Sequence, residues 1–248
     1  MSSITFLGTG NAWNHNYDNT SALFEFNNTN LLIDCGFTTP INLNKINKLG
    51  EIDNIWISHT HGDHIYGLEE IAFRNKFLYK RKINLFIARK NYKDIKSCLE
   101  ATLQYDGANK KLQTLDNYFN VCIIDKGFSI KGYKFTIEKT KHAYNMSSYM
   151  LYGNNFIYTG DTQFIDWSRY DLSKIKYIFH DTQLAKYDNN AHAPLQDLLT
   201  LPNNIRKKIW CMHYGEDIEK YKSTIFNNNM KIVDKFDKIE LKDDKNEW

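Results

Sequence analysis

The segment Ser58-His59-Thr60-His61-Gly62-Asp63-His64 constrains this chain more than any other. Three imidazoles and a carboxylate fall within six residues, and these are the donors that divalent zinc, manganese or iron accept. The residues just before it, 54–58, read as a short apolar strand, so the cluster leaves a rigid element directly. His59 and His61 are two apart and can both point inward from a tight loop. Asp63 and His64 are adjacent and project differently, which leaves room for a second ion beside the first. With only eight histidines in 248 residues, a solvated loop assembled by chance is a poor account of this cluster.

Three further segments carry the same signature of a strand that runs into a metal donor. Lys141-His142-Ala143 follows an apolar-alternating run, Thr159-Gly160-Asp161-Thr162 places a carboxylate behind a glycine, and Cys211-Met212-His213 repeats the pattern. Taken singly, each would be an ordinary surface or core polar residue. Together with the first cluster they describe strand ends that converge on one edge and form a rigid platform for a site.

The rest of the composition excludes more than it identifies. A chain of 248 residues can bury about 70% of its unfolded surface and needs no disulfide. The 42% hydrophobic and 25% charged fractions are ordinary globular values, and no apolar run approaches the ~20 residues of a membrane span. Lys+Arg of 32 against Asp+Glu of 29 gives a net charge of +3, with short basic runs only at 79–82 and 206–208. A dedicated nucleic-acid binder concentrates such charge on one face. The four cysteines show no paired metal spacing, and no secretory leader is apparent, so reduced thiols and a cytoplasmic setting are expected.

Periodicity and turn signals outline the elements. Strands are expected at 3–7, 21–26, 30–34, 54–58, 83–88, 147–152, 155–158, 175–179 and 208–212, with short strands across 114–139 that turn at Gly127 and Gly132. Helices are expected at 40–49, 67–79, 94–103, 194–201 and 217–227, with a frayed charged end at 242–248. Without repeats or a Gly/Ser linker, residues 1–248 read as a single domain. The order of strands, helices, strands, helices suggests two sheets packed inside helical layers, an α/β (α+β) architecture, rather than one doubly wound sheet.

His59-x-His61-x-Asp63-His64, then His142, Asp161 and His213, resembles the metallo-β-lactamase superfamily in content and order. The likeness runs from Thr5-Phe6-Leu7-Gly8-Thr9-Gly10 through Leu32-Ile33-Asp34-Cys35-Gly36 to the last histidine. It implies a four-layer αββα sandwich with two divalent ions on one edge, Zn2+ foremost and Mn2+ as the alternative. In that family one ion is held by the residues matching His59, His61 and His142, the other by those matching Asp63, His64 and His213, and the residue matching Asp161 bridges them. Two ions about 3.5–4 Å apart suit hydrolysis. The oxygen-rich second group leans towards phosphoesters, and no cysteine takes the place that lactam hydrolases of the superfamily use.

His180-Asp181-Thr182-Gln183, followed by Ala191-His192-Ala193, resembles the ribonuclease Z branch, which implies His192 as the general acid with Asp181 holding it. Asp63, His192 and Asp181 form the expected catalytic set. The branch's usual Glu-Ala-Thr is here Asp181-Thr182-Gln183, and His15 and His180 read as ordinary histidines. The transfer-RNA enzymes carry a long arm between the third histidine and the bridging aspartate, whereas here 18 residues separate His142 from Asp161. In length, opening motif and the Asn19-Thr20-Ser21-Ala22 stretch, the chain is similar to the anti-Pycsar phosphodiesterases of phages and bacteria. That resemblance implies hydrolysis of 3′,5′-cyclic nucleotides, a homodimer whose partner completes the pocket, and neither membrane nor stable nucleic-acid partners. Trp13, Tyr17 and Tyr105 are candidates for stacking on a base or for plain packing. The competing readings are a ribonuclease Z-like endoribonuclease, a thioester or lactone hydrolase, and a non-catalytic metal-bearing sequestering module.

Overall fold

A computed structural model describes residues 2–108, 110–185 and 191–242. The chain builds two seven-stranded sheets. The first sheet takes β1 (Ser2–Gly8), β2 (Ser21–Phe26), β3 (Thr29–Ile33), β4 (Asn54–Ile57), β5 (Ile83–Ala88) and β6 (Phe119–Ile124) side by side in chain order, with β14 (Lys238–Leu241) beyond β1. The second sheet runs from β7 (Gly127–Ile130) through β8 (Tyr133–Thr140), β9 (Ser148–Tyr152), β10 (Phe156–Tyr158), β11 (Tyr177–Asp181) and β12 (Ile209–Met212) to β13 (Lys231–Ile232).

Strand alternation explains the layers. In β4, Trp56 points between the sheets while Ile55 and Ile57 point outward, and in β11 Phe179 points inward and Ile178 outward. Phe6, Phe24, Trp56, Phe135, Phe156 and Phe179 fill the space between the sheets. On the outer face of the first sheet lie α1 (Thr39–Lys45), α3 (Leu68–Phe73) and α4 (Tyr92–Leu103), which bury Leu43, Leu68 and Ile95 against it. The second sheet is covered by α5 (Leu195–Leu198), α6 (Asn203–Arg206) and α7 (Ile218–Asn227) through Leu198, Ile205 and Ile225. The result is the four-layer αββα arrangement expected from the sequence. Among the described residues, no helix is long and apolar enough to cross a membrane.

Several element boundaries differ from expectation. The helix expected at 67–79 is α3 followed by a π-helical turn, Arg74–Leu78, in which buried Asn75 donates to the Ile71 carbonyl and accepts from Arg81. The helix at 40–49 stops at Lys45, and Asn47 adopts a left-handed φ of 57°. The one at 194–201 is only α5, with α6 beginning after Pro202, because proline cannot continue a preceding helix. Gly127 is not a turn but the first residue of β7, whereas Lys131 and Gly132, at φ 46° and 82°, do make the two-residue hairpin. The helix α2 (Gly62–Ile65) and the strands β13 and β14 were not anticipated. Most of the segment expected to fray, 242–248, lies outside the described residues.

Strand direction decides where a site can form. β8 and β10 both run antiparallel to β9, and β10, β11 and β12 are mutually parallel. The C-terminal ends of these four strands therefore share one edge. β3 and β4 are likewise parallel in the first sheet, and their ends open onto the same place.

Candidate metal centre

The donors of the first sheet arrive together. Ser58 and His59 leave β4, His61 precedes α2, and Asp63 and His64 sit in the first turn of that helix. The donors of the second sheet arrive singly: His142 after β8, Asp161 after β10, Asp181 at the end of β11 and His213 after β12. All seven side chains singled out by the sequence gather on this edge, and His192 and Asp181 join them. His15 is exposed, and His180 is a buried residue of β11 with its ring against Trp167, so neither enters the cluster.

Two donor groups share one carboxylate. In the first, His61 Nδ1 lies 3.0 Å from His59 Nε2 and 3.1 Å from His142 Nε2, and Asp161 Oδ2 lies 3.6 Å from both Nε2 atoms. In the second, Asp63 Oδ2 is 3.3 Å from His64 Nε2 and 3.4 Å from His213 Nε2. Asp161 Oδ1 stands at 3.3 and 3.4 Å from the same two nitrogens. A tetrahedron with bonds of 2.0–2.1 Å has edges of about 3.3–3.4 Å, so each group has the spacing of a four-donor shell. Asp161 turns one oxygen to each.

Proton placement tests the fit. Ser58 Oγ gives its hydrogen to Asp34 Oδ2 (2.8 Å) and so accepts from His59 Nδ1 at 3.0 Å. His142 Nδ1 donates to the Ala191 carbonyl at 2.8 Å, and His64 Nδ1 to Asp34 Oδ2 at 2.9 Å. With Nδ1 so engaged, the neutral form of each ring turns its Nε2 lone pair to the centre, and at His64 a proton taken up there is what a cation would displace. At His59 and His142 these lone pairs meet His61 Nδ1, which can bring one proton to one of them. His64 Nε2 and Asp161 Oδ1 are buried with no hydrogen-bond partner among the described residues. Converging lone pairs of this kind fit divalent cations.

The electrostatics agree. Burial alone would favour neutral imidazoles, and it holds His59 well below the usual histidine range, with His64 adding to the effect. Burial works against charge at His64 and His213 too, but Asp161 and its neighbouring carboxylates overcome it, lifting His64 well above the usual value and His213 to about 10. Despite its burial, the Asp161 carboxyl is held well below the usual range by His213 and His64. The carboxylates thus draw positive charge into the site through protons on His64 and His213, the charge that metal ions replace on binding.

The backbone is shaped for this purpose. Asp34 and His213 adopt left-handed φ values of 60° and 58°, a region that aspartate and histidine enter more readily than most residues with a side chain. Gly160, at φ 57°, packs where a Cβ would press on Ser58 and the Tyr149 carbonyl, which lets Asp161 reach the first sheet. The Asp161 carbonyl accepts from Thr140 Oγ1 and Ser148 Oγ at 3.2 and 2.9 Å.

Asp34 and Ser58 lie within the motif segments of the sequence, but spacing gives them no role, because it marks the donors and not the groups behind them. Yet Asp34 accepts from Ser58 N–H at 2.8 Å and anchors His59 through Ser58 and His64 directly. Asp181 plays the matching role in the second sheet. Its Oδ2 accepts from His192 Nδ1 at 2.8 Å and from Thr162 N–H at 2.9 Å, and its Oδ1 is 3.3 Å from His213 Nδ1. Asp161, Asp181, His192 and His213 also lie close enough to form a third donor group.

Above the donors opens a cavity of about 1000 Å³. Trp13, Phe37 and Tyr66 stand around it, 82%, 68% and 64% exposed. Of the three candidate stacking aromatics, Trp13 is there, while Tyr17 packs edge-on against Tyr214 and exposed Tyr105 does not line the cavity. Among the described residues, the charged groups on the wall beyond the centre are Glu216 and Asp217, and no lysine or arginine lines it.

Comparison with known proteins places this chain. Curated relatives include the anti-Pycsar protein Apyc1 of Paenibacillus harenae, 38% identical over 93% of this chain and 96% of that one. Another is the anti-Pycsar protein Apyc1 of Bacillus phage vB_BsuM-Goe3, 36% identical over 88% and 91%. Among solved structures, a diphosphatase from the PhnP family superposes with a TM-score of 0.77 at 16% identity, covering 98% of each chain. The short form of human tRNase Z gives 0.69 at 18% identity, over 96% of this chain and 98% of that one. A metallo-β-lactamase fold protein from Bacillus subtilis gives 0.72 at 16% identity, over 96% and 98%. The two sheets and their helical covers are therefore the metallo-β-lactamase fold. The family model for the anti-Pycsar protein Apyc1 matches residues 2–238, and the chain belongs to that family.

Proposed function

We propose that this protein is a metal-dependent phosphodiesterase that hydrolyses 3′,5′-cyclic nucleotides, cyclic CMP and cyclic UMP among them, and so counters Pycsar signalling in a bacterial cytoplasm. The observation that carries this reading is the pairing of two donor groups, joined by Asp161, with a cavity whose described wall holds no lysine or arginine. A nucleic-acid backbone needs clustered cations along its path. A compact ester with one negative charge needs them only at the phosphorus. The 18 residues between His142 and Asp161 are occupied by a short loop and β9–β10, which leaves no arm of the kind that grips transfer RNA.

In this reading His59, His61 and His142 would hold one ion, Asp63, His64 and His213 the other, and Asp161 would serve both. Zn2+ is the ion that suits so many imidazoles, with Mn2+ as the alternative. Bound there, divalent ions would supply a water of lowered pKa and neutralise charge on the phosphoryl oxygens. Asp63 fixes the second group, and the His64 and His213 imidazoles keep its carboxyl ionised against the effect of burial. Asp181 orients His192 and, against the penalty of burial, raises its pKa, so the imidazolium is available as a general acid on the cavity wall. Hydrolysis adds the water oxygen to phosphorus, releases one proton of that water to solvent, and breaks one ribose P–O bond. The freed ribose oxygen takes its proton from His192.

The exposed rim of Trp13, Phe37 and Tyr66 suits stacking on a nucleobase and leaves the mouth open to a second copy of the chain. This supports the homodimer as part of the same reading, to be measured by light scattering. The deciding experiment for the activity incubates metal-loaded protein with 3′,5′-cyclic nucleotides, a short RNA and a thioester, and separates the products by chromatography. Conversion of the cyclic nucleotides alone to nucleoside monophosphates is expected. Turnover of RNA or thioester in their place would replace this reading.

A further inference from the structure

One polar side chain of the cavity wall is held rigidly, lies beside the donors and is used by none of the groups described so far. Asn19 precedes β2 and is only 8% exposed, yet it lines the cavity together with Asp63, Asp161, His192 and His213. Its backbone N–H donates to Thr38 Oγ1 at 2.9 Å. Its side-chain Oδ1 accepts from Thr38 N–H at 3.2 Å and from Thr38 Oγ1 at 3.3 Å. Two donors on one oxygen dictate how the amide faces, because in the reversed orientation the Thr38 N–H would confront another donor. Nδ2 therefore points away from Thr38, and among the described residues it finds no acceptor.

The neighbouring glycine shows how closely Asn19 approaches the centre. A Cβ on Gly36 would collide with both the Asp63 carbonyl oxygen and the Asn19 Cβ. Glycine at 36 thus lets the Asn19 side chain and the Asp63 segment close on the same point. Asn19 thus presents a neutral N–H donor, held in one orientation, on a residue of the cavity wall that Asp63 and His213 also line.

We propose that Asn19 is a catalytic residue whose Nδ2 donates a hydrogen bond to a non-bridging phosphoryl oxygen and stabilises the charge that builds there during attack. The proposal rests on the phosphodiester reading above. In the step it assists, the water oxygen bonds to phosphorus and releases one proton to solvent, the ribose P–O bond breaks, and the ribose oxygen takes a proton from His192. Asn19 keeps both of its amide hydrogens throughout. A donor aimed at developing charge in a preorganised site costs no reorganisation at the moment of reaction.

Two substitutions separate this role from a structural one. Asn19→Asp keeps an oxygen acceptor for both Thr38 donors, removes the Nδ2 donor and adds a negative charge. Asn19→Ala removes donor and acceptor without adding charge. In metal-loaded protein, each variant is expected to lose about 10²-fold or more in kcat. Affinity for inorganic phosphate, measured by titration calorimetry, is expected to fall about 10-fold or more in both. Metal content stays at the wild-type value, and Asn19→Asp keeps the wild-type melting temperature. Wild-type kcat and phosphate affinity in Asn19→Asp, with loss confined to Asn19→Ala, would make Asn19 a brace for Thr38 and overturn the proposal. Loss confined to Asn19→Asp would reduce the effect to added charge and overturn it equally. Wild-type protein that binds phosphate but cleaves no cyclic nucleotide contradicts the substrate reading alone, and the phosphate titration still decides the role of Asn19.

Discussion

The two sheets contribute to the centre in opposite ways. The first delivers His59, His61, Asp63 and His64 from one continuous turn between β4 and α2. The second delivers His142, Asp161, Asp181 and His213 from four different strand ends, assembled only because β8, β10, β11 and β12 run in one direction. Each sheet has one buried aspartate behind its donors. Asp34 fixes His59 and His64, and Asp181 fixes His192 and His213. A cluster on one loop is set by local geometry. A cluster from four strands depends on the packing of the whole sandwich.

The sharpest way to break this division is at the one residue that serves both groups. Asp161→Ala removes a donor from each tetrahedron, so metal content should fall by at least one ion per chain. Hydrolysis should drop by roughly 10³-fold or more, with the loss of several kcal/mol of charge stabilisation. Elemental analysis and steady-state kinetics on the same preparation check both. A variant that keeps full metal and activity would remove Asp161 from its bridging position.

His192→Ala probes the second sheet's catalytic side without touching the first. Metal content should stay intact while kcat falls by about 10²–10⁴-fold. Loss of an ion in that variant would instead make His192 a ligand through the third donor group.

Asp34→Asn tests the first sheet's brace. Outer partners of metal-bound histidines typically contribute 10–100-fold in affinity. A competition titration with a chromogenic chelator should show weakening of about that size, and at both ions, because Asp34 supports one histidine of each group. Weakening confined to one ion would mean that the Ser58 link to His59 carries little.

The smallest effect is on stability. Chelation should lower the melting temperature by roughly 10–20 °C, since each of two ions present at 100 times its Kd adds about 2.7 kcal/mol and each kcal/mol shifts a domain of this size by about 2–4 °C. Scanning calorimetry with and without a chelator reads it. An unchanged transition would show a site too weakly coupled to the fold to be held by strands of both sheets.

The same contrast governs how much the sequence could reveal. The first sheet's donors are contiguous, so residues 59–64 announce themselves by spacing. The second sheet's donors gain meaning only beside that cluster. Asp34 and Ser58 stand in the motif segments, but their role is not legible there, because what they do is pin the far side of an imidazole and no spacing rule marks that. Asn19 is similar, since its orientation comes from Thr38, nineteen positions away. For the fold, long apolar strands such as β2, β5 and β11 were legible by periodicity. β13, with two residues, and β14, whose Lys238 and Glu240 flank Ile239, carry almost no apolar signal of their own. β14 exists because β1 offers an edge to pair with, a long-range cause that a local pattern cannot display. The π-helical turn after α3 depends in the same way on Arg81 reaching Asn75 and the Gly50 and Ile52 carbonyls.

The most direct test is anomalous diffraction from zinc-loaded crystals, recorded at the zinc absorption edge. Two peaks should flank the Asp161 carboxylate, one enclosed by His59, His61 and His142 and the other by Asp63, His64 and His213. A map without peaks there, or with a single ion on one sheet's side only, would contradict a centre built jointly by the two sheets.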